Sequence, residues 1–232
     1  MINLRKGAER GYADHGWLQA RHTFSFANYY DPAHMHFRDL RVINEDRIAP
    51  GAGFPMHSHQ DMEIITYIIE GALEHRDSMG NGAVLQPGEI QRMSAGRGIT
   101  HSEFNPSAVD ATHLLQIWIH TAQQGIEPDY EQASYIEQQR PNEWCALVSP
   151  REGEAVVRVN QDVALLNANL ASGRTLRYAT RSDRHQWLQL VAGSVVVNGE
   201  TLQAGDGAAI SEAPTLVVEA DSDSELLLFD LA

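Results

Sequence analysis

Two short clusters of potential metal ligands stand out in the sequence, His57-x-His59 and His101-x-Glu103. In each cluster the two side chains are two residues apart, and on a β-strand this spacing places both on the same face. If the two strands are neighbours with these faces turned inward, three imidazoles and one carboxylate converge on a point. Such a donor set suits a first-row transition metal better than Ca²⁺ or Mg²⁺, which favour all-oxygen shells.

The other histidines are expected to have ordinary roles. A single histidine in a strand is more often packed or hydrogen-bonded than a metal ligand. We therefore expect packed or hydrogen-bonded side chains at His22, His75, His113, His120 and His185, and surface or loop positions for His15, His34 and His36.

Glu63 and Glu74 compete with Glu103 for the role of carboxylate ligand. Glu63 lies four residues after His59, so on a regular strand it shares the face of the histidines. It could then be a ligand, a partner of a ligand or a solvent-facing side chain. Local geometry alone leaves this choice open.

The elements that must position these residues are short strands. Branched and aromatic residues that alternate with polar ones, punctuated by glycine and proline, predict strands. In the first half we predict them at residues 22–32, 40–48, around 57–59, and at 63–69, 72–76, 83–85, 89–93, 99–104 and 113–120.

The strand pattern stops at residues 121–140, which are rich in Gln and Glu, and we predict a linker with a helical turn near 131–139. From residue 146 onward the short strands return, and Asn198-Gly199 is typical of a two-residue hairpin turn. Many short strands with closely spaced turns predict an all-β protein. The similar spacing of predicted strands in the two halves indicates a duplicated barrel. The second half contains only one histidine, His185, and no His-x-His pair.

Composition excludes several classes of function. The chain has 232 residues, 17 basic and 31 acidic, for a net charge of −14, so it is a poor candidate for unaided binding to nucleic acid or an anionic membrane. Its one cysteine, Cys145, excludes an intrachain disulfide and a zinc site built on cysteines. No signal-peptide core and no run near the ~18 apolar residues of a spanning helix is present, so we expect a cytoplasmic protein.

The ligand clusters lie inside a longer pattern. Gly51, His57-x-His59, Glu63 and Gly71 resemble the first cupin motif, and Gly88, Gly96, His101 and Asn105 the second. The spacing departs from the general pattern by one extra residue between Glu63 and Gly71 and two between Gly96 and His101, and Ser94 stands where proline is usual.

These departures point to one branch of the cupins. Four segments together resemble the pirin family of bicupins: HTFSFANYYDP, GFPMHSHQDMEIITYIIEG, HRDSMGN and QRMSAGRGITHSEFN. The resemblance is dense over residues 17–120 and mainly architectural over 140–232. Within the family the chain is most similar to the bacterial pirin-like quercetin 2,3-dioxygenases.

This resemblance implies a fold and a site. The fold is two cupin-type β-barrels (double-stranded β-helices), of which only the N-terminal one holds a metal. The expected ranges are 1–125 for the N-terminal barrel, 126–145 for the linker and 146–232 for the C-terminal barrel. The implied metal ligands are His57, His59, His101 and Glu103.

The resemblance also implies a reaction. One divalent transition metal is expected, with Fe first and Ni, Cu, Co, Mn or Zn compatible. A flavonol such as quercetin would be cleaved by O₂ to carbon monoxide and a depside, with Glu103 as the base. The alternatives are a regulatory pirin that binds protein partners without physiological catalysis, and a metal cupin acting on another small molecule.

Overall fold

The computed structural model describes all 232 residues, and strands dominate it. The first half contains β1 (Ile2–Arg5), β2 (Gly11–Asp14), β3 (Leu18–His22), β4 (Leu40–Ile48), β5 (Gly53–His59), β6 (Met62–Glu70), β7 (Leu73–Asp77), β8 (Gly82–Leu85), β9 (Glu89–Ser94), β10 (Ile99–Phe104), β11 (Thr112–His120) and β12 (Asp129–Ser134). The second half contains β13 (Cys145–Ser149), β14 (Val157–Arg158), β15 (Val163–Leu170), β16 (Thr175–Ala179), β17 (His185–Ala192), β18 (Ser194–Val197), β19 (Glu200–Gln203), β20 (Gly207–Ile210), β21 (Thr215–Ala220) and β22 (Ser224–Leu231). The only helix is a 3-10 turn at Gly7–Glu9.

The strands form two compact units, each a barrel. The N-terminal barrel consists of Gly11–Ile136 and Val156–Gln161. The C-terminal barrel consists of Met1–Arg10, Glu137–Ala155 and Asp162–Ala232. The prediction of an all-β protein with two cupin-type barrels is confirmed.

The N-terminal barrel is built from two antiparallel sheets. The larger has the strand order β12-β9-β6-β11-β4-β3-β2, and the smaller has the order β5-β10-β7-β8. Residues Glu63–Ile68 of β6, a central strand rich in branched residues, are buried without interruption. On β10 buried and half-buried residues alternate, because one face of that strand is turned into the barrel. The smaller sheet therefore directs alternate side chains of β10 to the interior.

The C-terminal barrel has a larger sheet containing β1-β20-β17-β22-β15-β13 and a smaller sheet β16-β21-β18-β19. Its interior is filled by aliphatic side chains, among them Leu188, Leu190, Leu226 and Leu228, each fully buried. The first strand of the chain pairs with β20, with Ile2 opposite Ile210. Residues 1–10 thus lie in the C-terminal barrel and 156–161 in the N-terminal one, which differs from the predicted ranges 1–125 and 146–232.

Two local predictions are wrong. The strand predicted at 22–32 ends at His22, because the Ser25 hydroxyl donates to the Asp31 carbonyl and accepts from its N–H, which favours a turn over a ladder. The linker predicted at 126–145 contains β12, which pairs with β9 through all six residues, and no helix forms at 131–139. Pairing with a buried strand outweighs the weak strand propensity of its Gln and Glu residues.

Candidate metal centre

The register between β5 and β10 brings three of the predicted ligands together. His101 lies directly opposite His57 in the antiparallel ladder, and Ile99 lies opposite His59. The ring centroids are 4.4 Å apart for His57 and His101, 4.9 Å for His59 and His101, and 4.8 Å for His57 and His59. One nitrogen from each ring lies within 4.8 Å of the other two. The spacing of two residues on each strand therefore does place these imidazoles on one inward face.

Glu103 lies on the far side of a β-bulge from His101, and it is not in the group formed by His57, His59 and His101. The register between β10 and β5 shifts between His101 and Glu103, so that Glu103 lies opposite Phe54. The strands approach closely here, since a Cβ atom on Gly53 would collide with the Glu103 carbonyl oxygen. Glu103 as a residue is 3% exposed, and its carboxylate accepts hydrogen bonds of 2.9 and 3.1 Å from Gln116 Nε2.

Glu103 belongs to a second group of possible ligands that overlaps the first. Ligand atoms of His75, His101 and Glu103 also lie within 4.8 Å of one another, and His101 is common to both groups. His75 lies opposite Glu103 in the ladder between β7 and β10. His75 is buried and hydrogen-bonded as expected, but its place beside the site was not predicted.

The competing carboxylates lie elsewhere. Asp61 has a φ of 49°, and the turn that contains it ends β5 and starts β6, so Glu63 is in the other sheet from His59. The Glu63 carboxylate accepts a 2.7 Å hydrogen bond from Ser94 Oγ. Glu74 forms an ion pair of 2.8 Å with Arg76. Neither belongs to a group able to hold a metal.

Hydrogen bonds orient the imidazoles. His57 Nδ1 lies 2.8 Å from the Pro55 carbonyl oxygen, which only accepts, so Nδ1 carries the proton and Nε2 carries a lone pair. His101 Nδ1 lies 3.4 Å from His75 Nδ1. His101 Nε2 is fully buried and has no hydrogen-bond partner. A buried, unpartnered nitrogen beside two other imidazoles is costly unless it binds something, so the residues fit a transition-metal ion.

The electrostatics favour the ligand form of the rings. Burial, with neighbouring His57, lowers the pKa of His59 to about 4. Burial, with His57, His59 and His75 nearby, lowers the pKa of His101 to about 2. Burial raises the pKa of Glu103, although the Gln116 hydrogen bond and His57 oppose this shift. Both histidines are therefore neutral near pH 7 and present a lone pair, as metal binding requires.

A mainly apolar cavity of about 270 Å³ adjoins the cluster, with His57, His59 and Glu103 in its wall. Aromatic rings form other parts of the wall, and Trp118 stands edge-on to His59, with centroids 4.9 Å apart. This volume is near the lower end for small-molecule pockets, about 300 Å³. The cavity is lined by Leu18, Ala20, His22, Phe26, Asn44, Asp46, Phe54, His57, His59, Glu103, Gln116 and Trp118.

Two polar atoms of this lining are buried without partners, Asp46 Oδ1 and Trp118 Nε1. Burial, together with the nearby carboxylates of Glu103 and Glu45, raises the pKa of Asp46 to about 8. Asp46 therefore carries a proton at neutral pH and can donate a hydrogen bond. No motif in the sequence marked either residue, because Asp46 lies on β4 and Trp118 on β11, outside the two cupin motifs between Gly51 and Asn105.

Two barrels with a histidine cluster inside the first define a bicupin. Residues 4–119 match the family described as Pirin, and residues 146–231 match the quercetinase C-terminal cupin domain. The chain belongs to the pirin family, as the sequence motifs implied. No helix in it has the length and apolar character needed to cross a membrane.

Individual relatives resemble it over their full length. The quercetin 2,3-dioxygenase of Escherichia coli strain K12 is 48% identical over 231 residues, covering 100% of this chain and 99% of that one. A pirin-like protein of Caulobacter vibrioides is 42% identical, with 100% of each chain covered. The crystal structure of the bacterial pirin YhhW of Escherichia coli in complex with nickel(II) has a TM-score of 0.95 at 47% identity, covering 100% of this chain and 99% of that one.

Proposed function

We propose that this protein is a metal-dependent dioxygenase that cleaves flavonols such as quercetin with O₂. The observation that supports this most directly is the cavity that adjoins the histidine cluster and includes His57, His59 and Glu103 in its wall. A metal that serves only a structural role needs no adjoining space, whereas a reaction at the metal needs room for a substrate. A relative that is 48% identical carries the name of this activity.

The proposed ligands are His57, His59, His101 and Glu103, holding one divalent transition metal, with Fe expected and Ni, Cu, Co, Mn or Zn compatible. His101 Nε2 supports this set because it is buried and unpartnered beside the other two imidazoles. When bound, the ion would supply Lewis acidity that lowers the pKa of a flavonol hydroxyl, and a means of electron transfer to O₂.

The protein side chains bind and orient the substrate. The rings of Phe26, Phe54 and Trp118 line the cavity and provide apolar surface for a flat polyphenol. The protonated Asp46 is placed to donate a hydrogen bond to a substrate oxygen, which would satisfy its otherwise unpartnered Oδ1.

Glu103 is the proposed base. Its raised pKa makes its carboxylate a stronger proton acceptor, and it would take the proton of the flavonol 3-hydroxyl. Gln116 donates to both carboxylate oxygens and so holds the group in position, while Thr66 Oγ1 donates to Gln116 Oε1 at 3.0 Å. In the overall reaction both oxygen atoms of O₂ enter the products, and one ring carbon leaves as carbon monoxide with the depside as the other product.

The test is aerobic turnover of quercetin by protein loaded separately with Fe²⁺ and Ni²⁺. The expected result is loss of quercetin with the release of one carbon monoxide per flavonol, measured by gas chromatography, together with the depside, identified by mass spectrometry. An anaerobic sample and the His57→Ala variant are the controls and should give neither product. Metal-loaded protein that leaves quercetin intact would reject this function, in favour of a protein-binding role or of a different small-molecule substrate.

A further inference from the structure

Asp77, the last residue of β7, has a carboxylate that is held by four donors. Oδ1 accepts from the backbone N–H groups of Met79 at 2.9 Å and Asn81 at 3.0 Å. Oδ2 accepts from Asn81 Nδ2 at 2.9 Å and lies 3.2 Å from His75 Nε2. Burial opposes ionisation of this carboxyl, but the hydrogen bonds outweigh it and its pKa is lowered. Asp77 is therefore a fixed carboxylate that can only accept hydrogen bonds.

The state of Asp77 decides which nitrogen of His75 carries the proton. Since Asp77 only accepts, His75 Nε2 must donate. In an imidazole with one proton, a proton on Nε2 leaves Nδ1 with a lone pair, so His75 Nδ1 can accept a hydrogen bond. The ring of Tyr130 stacks on His75, with centroids 4.8 Å apart and an interplanar angle of 28°, and keeps the ring in this orientation.

The state of His75 in turn decides the tautomer of His101. The two Nδ1 atoms are 3.4 Å apart, and His75 Nδ1 can only accept, so His101 Nδ1 carries the proton and donates. His101 Nε2 is then the nitrogen with the lone pair. This is the buried atom that has no hydrogen-bond partner, and its ring belongs to the group with His57 and His59.

We propose that Asp77 and His75 act as positioning residues, which hold His101 in the tautomer whose Nε2 is free to bind a metal. A carboxylate–histidine pair thus does for His101 what the Pro55 carbonyl does for His57. The proposal rests on the ligand role of His101 in the proposed function, but not on the flavonol reaction.

The overlapping group of His75, His101 and Glu103 is the competing arrangement. A metal there that used the Nδ1 atom of each ring would displace the proton that these two nitrogens share. It would also leave His101 Nε2 protonated, buried and without an acceptor, which carries a desolvation cost. The tautomer set by Asp77 avoids this cost, so His75 orients a ligand and is not one.

The first test reads the tautomer directly in metal-free protein. In a long-range ¹H–¹⁵N spectrum of protein labelled at histidine, His101 should show a protonated Nδ1 and a bare Nε2, with the signal assigned by its loss in His101→Gln. A protonated Nε2 on His101 in the wild-type protein would overturn the proposal. This measurement needs no variant of the relay and no turnover, so failure of the dioxygenase assay would not affect it.

The second test measures Ni²⁺ binding by calorimetry. In His75→Leu, which removes the acceptor, we expect affinity to fall about 10- to 100-fold and the His101 signal to become a mixture of tautomers. In His75→Asn the amide oxygen replaces Nδ1 as acceptor, so part of the affinity and the single tautomer should return. Unchanged Ni²⁺ affinity and an unchanged His101 tautomer in His75→Leu would overturn the proposal. Complete loss of Ni²⁺ binding in both variants would also overturn it, because that result would make His75 a ligand. Circular dichroism checks the folding of both.

Discussion

His57 and His101 lie directly opposite each other on neighbouring antiparallel strands, with ring centroids 4.4 Å apart. Each ring has its Nδ1 atom engaged, one by a backbone carbonyl oxygen and the other by a second histidine. The opposite nitrogen of each ring is thereby left free to bind a metal. This cross-strand pair is the centre of the candidate site.

The first prediction concerns metal content. His57→Ala removes one of three clustered imidazoles, so metal content should fall from near one ion per chain to a small fraction of that. Plasma mass spectrometry of protein purified without chelators measures it. His15→Ala, at an exposed histidine outside both ligand groups, is the matched control and should retain the metal. Full retention in His57→Ala would remove this residue from the site.

The second prediction concerns Glu103. Glu103→Gln keeps the shape of the side chain and lets its amide oxygen accept from Gln116, but removes the proton acceptor. In variant protein that still holds metal, kcat should fall about 10²- to 10⁴-fold with a much smaller change in flavonol affinity. Glu74→Gln, on the other face of β7 from His75, serves as the control. Equal turnover by Glu103→Gln and wild-type protein would exclude the base role.

The third prediction separates Glu63 from the ligands. Its side chain is fully buried, accepts a hydrogen bond from Ser94 Oγ and belongs to neither group of possible metal ligands. Glu63→Ala should lower the free energy of unfolding by about 1–3 kcal/mol, because it leaves the Ser94 hydroxyl without its acceptor. Urea unfolding gives the stability, and metal analysis of the folded variant should give the wild-type content. Loss of the metal alone would instead identify Glu63 as a ligand.

The fourth prediction concerns the wall of the cavity. Trp118 lines it and stands edge-on to His59. Trp118→Leu should raise the flavonol Kd about tenfold, or ~1.4 kcal/mol, through the loss of aromatic contact. Fluorescence titration with quercetin measures this change, and Trp144→Leu in the C-terminal barrel is the control. An unaltered Kd would place the flavonol away from Trp118.

The fifth prediction concerns acid stability of the C-terminal barrel. Burial opposes ionisation of Asp206, but hydrogen bonds from the N–H groups of Gly7 and Gln203 and from Lys6 outweigh it and lower its pKa below 3.8. The folded state thus releases this proton more readily than the unfolded state, and the stabilisation is present above pH 3.8 and lost as pH falls through the lower folded-state pKa. Asp206→Asn should be less stable at pH 7 and should lose less stability than the wild type in that acid window. Urea unfolding at several pH values measures both, and parallel curves would contradict the assignment.

Much of the site could be predicted from the sequence because strand periodicity is local. The spacing of two residues in His57-x-His59 and His101-x-Glu103 determines a shared face wherever a strand forms, and both segments do form strands. His75-x-Asp77 has the same spacing, and that signal could have drawn attention to the pair. Nothing in β8 or in the polar loop between β7 and β8 indicated that this pair lies beside His101.

The strand predicted over 22–32 shows where alternation misleads. Phe24 is buried as the pattern requires, but the hydrogen bonds of Ser25 with Asp31 close a turn instead of a ladder. The Gln- and Glu-rich segment shows the reverse case, in which pairing with β9 makes a strand of residues with little propensity for one.

The sequence by itself determined the two barrels, the family and the candidate ligands, because residue type, spacing and turn signals act within a few positions of the chain. Local spacing left both Glu63 and Glu103 open as the carboxylate, and the family resemblance implied Glu103. Only the tertiary structure shows why Glu63 lies apart from the histidines. The turn at Asp61 sends Glu63 into the other sheet, while the bulge after His101 keeps Glu103 beside it. Likewise, only the folded chain brings Asp77 and His75 against His101, because β7 pairs with β10. His75 and His101 are 26 positions apart in the sequence, and the hydrogen bond between them selects which nitrogen of His101 remains free.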